Sequence, residues 1–239
     1  MNKINNPIPS FCLPDTSKIN YNDTCEKFVD IEHYSDGKIK ISMQYFKAKL
    51  NGSVNIAFVR KGVADRLIEA LSLLPDGYTF EVLDAWRPYD VQLSLFNGYY
   101  NHIKEENPDI RSEEELHKKT LEFVSYPDKS KKFSFVHSSG GAVDITIIDN
   151  NGNQLDMGSE FDEFTDRSYT DWYEKNNVNE TIRNNRRLLY NVLCSCGFTN
   201  YPSEWWHYDY GDIFWSYYTG KDAIYSSAFE LSEVNQNNG

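Results

Sequence analysis

The sequence predicts an α+β domain, a central antiparallel sheet with flanking helices, and three observations carry that expectation. Residues 78–85 (YTFEVLDA) and 141–149 (GAVDITIID) alternate apolar and polar side chains with a period of two, as half-buried strands do. Residues 62–77, 89–106, 112–125 and 179–197 read instead as helices. The two kinds of segment are segregated and the strand signals meet through hairpin-type turns, which favours an antiparallel sheet over a parallel βαβ one.

Taken in order, residues 1–50 are polar and rich in Asn, Asp and Lys. Turn signals at YSDGK and KLNGS, and alternating stretches such as KIKISMQYF that suit strands, make them an N-terminal extension expected to pack on the main domain, residues 51–239, in a single-domain protein. GVADRLIEALSLLPDG sets Val63, Leu67, Ile68, Leu71 and Leu74 at helical spacing and stops at Pro75-Asp76-Gly77. After the 78–85 strand, the stretches at 89–106 and 112–125 form an expected inserted helical pair, the second opening on a Ser112/Glu115 capping box. GAVDITIID and GNQLDMG are expected as two strands joined by the Asp149-Asn150-Asn151-Gly152 turn. NETIRNNRRLLYNVLCSCG is a helix capped by Gly197, and WWHYDY (205–210) is a strand.

Composition removes several functions. With 239 residues and 40% hydrophobic content the chain buries a core without staples. Its net charge of −12 argues against nucleic acid and anionic membranes as partners, and a small ligand fits better. No apolar run is long enough to span a bilayer or serve as a secretory signal, so a cytoplasmic protein is expected. The four cysteines (Cys12, Cys25, Cys194 and Cys196) are too unevenly spaced for a disulfide framework or a metal-binding CxxC and read as reduced thiols.

The chain has no Gly-rich phosphate loop, G-x-S-x-G elbow or H-E-x-x-H helix. Its chemistry is concentrated in FVHSSGGAVDITIID and SEWWHYDY, which hold two of its five histidines. Singly, each residue has an ordinary explanation: His137 a hydrogen-bonded loop residue, Asp144 a turn acceptor, Glu204 a solvated acid, His207 a core histidine. Jointly they match what zinc needs in a hydrolase, which is about three N/O protein ligands (His137, Asp144, His207), one position left for water, and a separate carboxylate (Glu204) to take the water's proton. In a regular strand residues three apart point to opposite faces, so Glu204 and His207 share a site only if the chain bends at Pro202-Ser203-Glu204. Gly140 and Gly141 allow the tight turn between His137 and Asp144.

HSSGGAVD, EWWHYDY and DAWRPYD, together with MGSEFDEF (157–164), NRRLL and the following GF, resemble the D-alanyl-D-alanine dipeptidases of the VanX type, a zinc metallopeptidase family with the Hedgehog/DD-peptidase-like fold. The resemblance runs from about Val59 to about Tyr225. It implies one Zn²⁺ per chain on His137, Asp144 and His207, with Glu204 as catalytic base. Arg87 would stabilise the oxyanion, its ordinary alternative being an ion pair with Asp84 or Asp90. Asp162 would meet the free amino group of a small dipeptide substrate, its alternative being a surface turn residue. The activity implied is cytoplasmic hydrolysis of D-alanyl-D-alanine or a similar D-configured dipeptide, in cell-wall metabolism. Two other readings are a stem-peptide carboxypeptidase or endopeptidase of the same fold, and a non-catalytic zinc-binding module. The chain departs from the family at Phe135, where a serine that helps hold the substrate is usual, and at Ser139-Gly140-Gly141.

Overall fold

The structure, a computed structural model, describes residues 3–163 and 165–236. In chain order it contains β1 (Phe28–Asp30), α1 (Ile31–Tyr34), β2 (Lys40–Ile41), α2 (Gln44–Lys47), β3 (Phe58–Arg60) and α3 (Lys61–Leu71). Then come β4 (Thr79–Asp84), α4 (Tyr89–Glu106), α5 (Glu113–Thr120), β5 (Ala142–Ile148), α6 (Trp172–Asn176) and α7 (Glu180–Ser195). The chain closes with β6 (Thr199–Asn200), β7 (His207–Asp209), α8 (Ile213–Thr219) and α9 (Leu231–Gln236). The main sheet has the order β2-β4-β5-β7-β6, antiparallel at every pairing except β2 with β4, and β1 pairs with β3 in a separate ribbon. The α+β expectation therefore holds, with one parallel pair at the edge.

Strand β5 is the centre of this arrangement, buried at all seven positions. Val143, Ile145 and Ile147 enter the main core with Phe80, Val82, Leu189 and Leu193. Asp144 and Thr146, on the opposite face by the two-residue period, are also covered. In α3, Val63, Leu67 and Ala70 are buried while Ile68 is 37% exposed, and the helix ends at Leu71, before the Pro75-Asp76-Gly77 stop. Asn179 caps α7 by accepting from the Ile182 amide at 3.2 Å, and Gly197 follows the helix at φ 93°. Ser112 caps α5 through the Glu115 amide at 3.3 Å, and α5 ends at Thr120, short of the expected 125. Helices α4 and α5 pack on each other, with Phe96 against His117 at 5.1 Å between ring centroids.

Of the expected strands, one is absent and the one in KIKISMQYF is short. GNQLDMG does not form a strand: it contributes one bridge, Ile148 to Gln154, and a bond from the Leu155 amide to Ile147. Further along that edge of β5 the Ile145 amide already donates to the Trp206 carbonyl at 2.9 Å, ahead of β7 on Ala142–Asp144, and Gly158 turns at φ 83°. In KIKISMQYF only Lys40–Ile41 is strand, and α2 follows. The early segments are tied down by Arg60, which donates to the carbonyls of Glu26, Ser139 and Ser226. Among the described residues no helix is long and apolar enough to cross a membrane.

Candidate active site

Strand register builds the site. Asp84 of β4 pairs with Asp144 of β5, and Asp144 pairs with His207 of β7, so three polar side chains stand side by side across three strands. The irregularity between Val82 and Asp84 re-aims the end of β4, as bulges beside active sites do. His137 arrives from the 3-10 turn Val136–Ser139 immediately before β5. That turn depends on two glycines: Gly140 has φ 70° with the Phe28 ring where a Cβ would lie, and a Cβ on Gly141 would come within 2.6 Å of the Tyr210 carbonyl. As a result His137 Nε2 lies 3.2 Å from His207 Nδ1 and 3.4 Å from Asp144 Oδ2. Asp144 Oδ1 is 2.9 Å from His207 Nδ1, and one donor atom from each residue lies within 4.8 Å of the others.

The outer side of each imidazole fixes which nitrogen faces inward. His137 Nδ1 donates to the Ala85 carbonyl at 2.7 Å, and His207 Nε2 donates to Asp209 Oδ1 at 2.8 Å. In the neutral form that a metal requires each imidazole has one proton, and these bonds would hold it outward and free His137 Nε2 and His207 Nδ1 as lone-pair donors. Burial opposes the charged form of Asp144, but His137 and His207 outweigh it and hold the carboxyl well below the usual range. Burial likewise opposes charge on His207, yet Asp209 and Asp144 push it well above the ordinary imidazole value. Both shifts have one origin, a buried set of acceptors that draws in positive charge. Two imidazole nitrogens and a carboxylate oxygen form a donor set that a divalent cation fits.

The expected bend before His207 is present, and it shortens the strand: WWHYDY is extended only from His207 to Asp209. The Glu204 amide donates to the Tyr201 carbonyl at 3.1 Å and the His207 amide to the Glu204 carbonyl at 3.3 Å, two successive turns. Asn200 clamps them by donating to the carbonyls of Glu204 (3.0 Å) and His207 (2.8 Å). Glu204 Oε2 thereby comes 3.9 Å from His207 Nδ1. Burial, against the nearby His207, pushes the Glu204 carboxyl up to about 7. Trp205 and Trp206 are buried packing residues.

Arg87 and Asp162 join the same pocket. Arg87 Nε donates to Asp84 Oδ2 at 2.8 Å and Nη1 to Gln92 Oε1 at 2.7 Å; Nη2 is 3.5 Å from Asp144 Oδ2, and the Tyr45 ring lies 4.8 Å away. The ion pair with Asp84 and a position beside the metal-type cluster coexist, because a guanidinium has donors for both. Asp162 has a left-handed backbone (φ 58°) and accepts from the Tyr45 hydroxyl at 2.8 Å. Burial first, then the Asp144 charge, push its carboxyl up to about 7. Phe164, the end of the MGSEFDEF stretch, lies outside the described residues.

Asp162 sits on a loop whose two ends are held by one side chain. Arg186, 1% exposed, donates to the carbonyls of Met157 (2.7 Å), Tyr169 (2.7 Å) and Arg167 (2.5 Å). Arg186→Met is expected to destabilise the fold by about 3 kcal/mol or more, since buried carbonyls lose their donors. Urea denaturation measures it, and a loss under about 1 kcal/mol would count against the latch.

Four supporting groups were not read from the sequence: the Ala85 carbonyl, Asp209, Gln92 and Tyr45. Asp209 had a signal, because two residues beyond His207 on a strand is the same face. The other three had none.

The six site residues line a cavity of about 440 Å³ together with side chains of α4 and of the segment after α5. Residues 41–225 match the family described as D-ala-D-ala dipeptidase. A D-alanyl-D-alanine dipeptidase from Synechocystis is 30% identical over 176 residues, 66% of this chain and 71% of that protein. Those of Escherichia coli and Enterococcus faecium are 42% and 37% identical over 73 residues, 30% of this chain and 36% and 35% of theirs. By the extent of these matches the chain belongs to the D-ala-D-ala dipeptidase family of peptidases.

Proposed function

We propose that the chain is a zinc-dependent dipeptidase that hydrolyses D-alanyl-D-alanine or a similar D-configured dipeptide. The observation that carries this reading is the convergence of His137, Asp144 and His207 within 4.8 Å, with Glu204 beside them at 3.9 Å from His207. These three residues would hold the ion, which when bound polarises the peptide carbonyl and makes water a nucleophile near neutral pH. Glu204 takes the proton from the attacking water and returns it to the leaving amine. Arg87, fixed by Asp84 and Gln92, donates to the carbonyl oxygen as that oxygen gains charge.

Asp162 binds the substrate ammonium, whose charge favours the ionised carboxylate at this buried position. A longer peptide has no ammonium there and leaves Asp162 desolvated without a cation, which selects dipeptides over stem peptides. A cytoplasmic location belongs to the same reading and agrees with four cysteines free of disulfides.

The test is amine release from D-Ala-D-Ala, L-Ala-L-Ala and a tripeptide ending in D-Ala-D-Ala, with and without a chelator. Chelator-sensitive release from D-Ala-D-Ala alone is expected, and faster cleavage of the tripeptide would favour the carboxypeptidase reading. In the same assay Asp162→Ala should raise KM for the dipeptide roughly 10-fold or more, the worth of a lost charged hydrogen bond. An unchanged substrate profile would reject its role.

A further inference from the structure

The lining of the cavity has two unlike parts. One is the charged groups described above; another is an apolar wall that includes Leu95, Tyr99, Phe123 and Phe135. Phe123 is 46% exposed, and its ring lies 5.1 Å from that of Tyr99. Gly98, also on the wall, leaves open space where a side chain would begin. The wall is joined to the reacting end through Gln92, whose amide donates to the Ser125 carbonyl at 2.8 Å while its oxygen accepts from Arg87.

Arg87 touches neighbours of both parts. Asp162 is reached across the guanidinium face through Tyr45, whereas the wall starts from Gln92 at the Nη1 edge. With the ammonium at Asp162 and the scissile carbonyl at Arg87, the side chain directed to the wall belongs to the C-terminal residue. A methyl group there would leave most of the apolar surface wet, and a large side chain would cover it.

Resting on the proposed dipeptidase function, we propose that the preferred substrate carries a large apolar side chain, aliphatic or aromatic, on its C-terminal residue. Leu95, Tyr99, Phe123 and Phe135 are then specificity-determining residues.

The experiment compares kcat/KM for D-Ala-D-Ala, D-Ala-D-Leu and D-Ala-D-Phe on the wild-type enzyme and on Phe123→Ala and Leu95→Ser. Phe123 is exposed, so its truncation should leave folding intact even if the Leu95 variant is poorly folded. A preference of about 10-fold or more for the large residue is expected, because each added methylene in an apolar pocket is worth roughly that factor. The preference should shrink several-fold in Phe123→Ala. Equal or faster cleavage of D-Ala-D-Ala would overturn this inference and leave the dipeptidase reading standing, as would a preference that Phe123→Ala does not alter. Cleavage of none of the three would overturn both.

Discussion

Glu204→Ala is expected to lower dipeptide hydrolysis by about 10²- to 10⁴-fold, the usual worth of a positioned general base, while zinc content stays near one ion per chain. The two halves of this expectation have separate causes. Activity falls because among the described residues no other carboxylate lining the pocket is free for the role: Asp144 is shared between both imidazoles, and Asp162 is bonded to Tyr45. Metal stays because each ligand is oriented by a group other than Glu204, His137 by the Ala85 carbonyl, His207 by Asp209 and Asp144 by its strand register. Glu204→Gln sharpens the test, since it keeps the shape and removes only the ability to accept a proton. Activity within tenfold of wild type in the Gln variant would show the base to be misassigned. Loss of metal in either variant would instead make Glu204 part of the cation site.

What was legible in the sequence was local. The start of α4 follows from Pro88 before it, and the structure has the helix at Tyr89–Glu106. The bend before His207 followed from strand parity and Pro202. What was not legible depends on register between distant segments. Nothing near Asp84 says that it will stand opposite Asp144, and nothing in GNQLDMG says that the Ile145 amide will already be bonded to the Trp206 carbonyl. The same holds for β2, whose parallel place beside β4 depends on segments about forty residues apart. The cluster itself was readable because the chemistry limited the partners: His137 is followed by a small-residue turn and then Asp144 on a strand, and His207 follows Glu204 by three residues, which together supply the ligands and the base that zinc needs in a hydrolase.

The second large effect is expected at the cation site. Removing zinc with a chelator should abolish hydrolysis and lower the melting temperature. Binding at a thousandfold excess over Kd stabilises a folded protein by about 4 kcal/mol, or roughly 10 °C for a chain of this size. Loss of a ligand and loss of a ligand's support should separate cleanly. His137→Ala leaves two donors and should emerge from dialysis without metal and without activity at any practical zinc concentration. Asp209→Asn keeps all three donors but replaces the charged acceptor that holds His207 Nε2–H, and should weaken zinc by about 10- to 100-fold, with activity returning as zinc is added. Metal analysis after dialysis, zinc-dependent activity and calorimetry give the three readouts. If chelation left melting temperature and activity unchanged, the converging imidazoles would have to be explained as a buried proton-sharing cluster. Their inward nitrogens would then belong to the core of the sheet rather than to its chemistry.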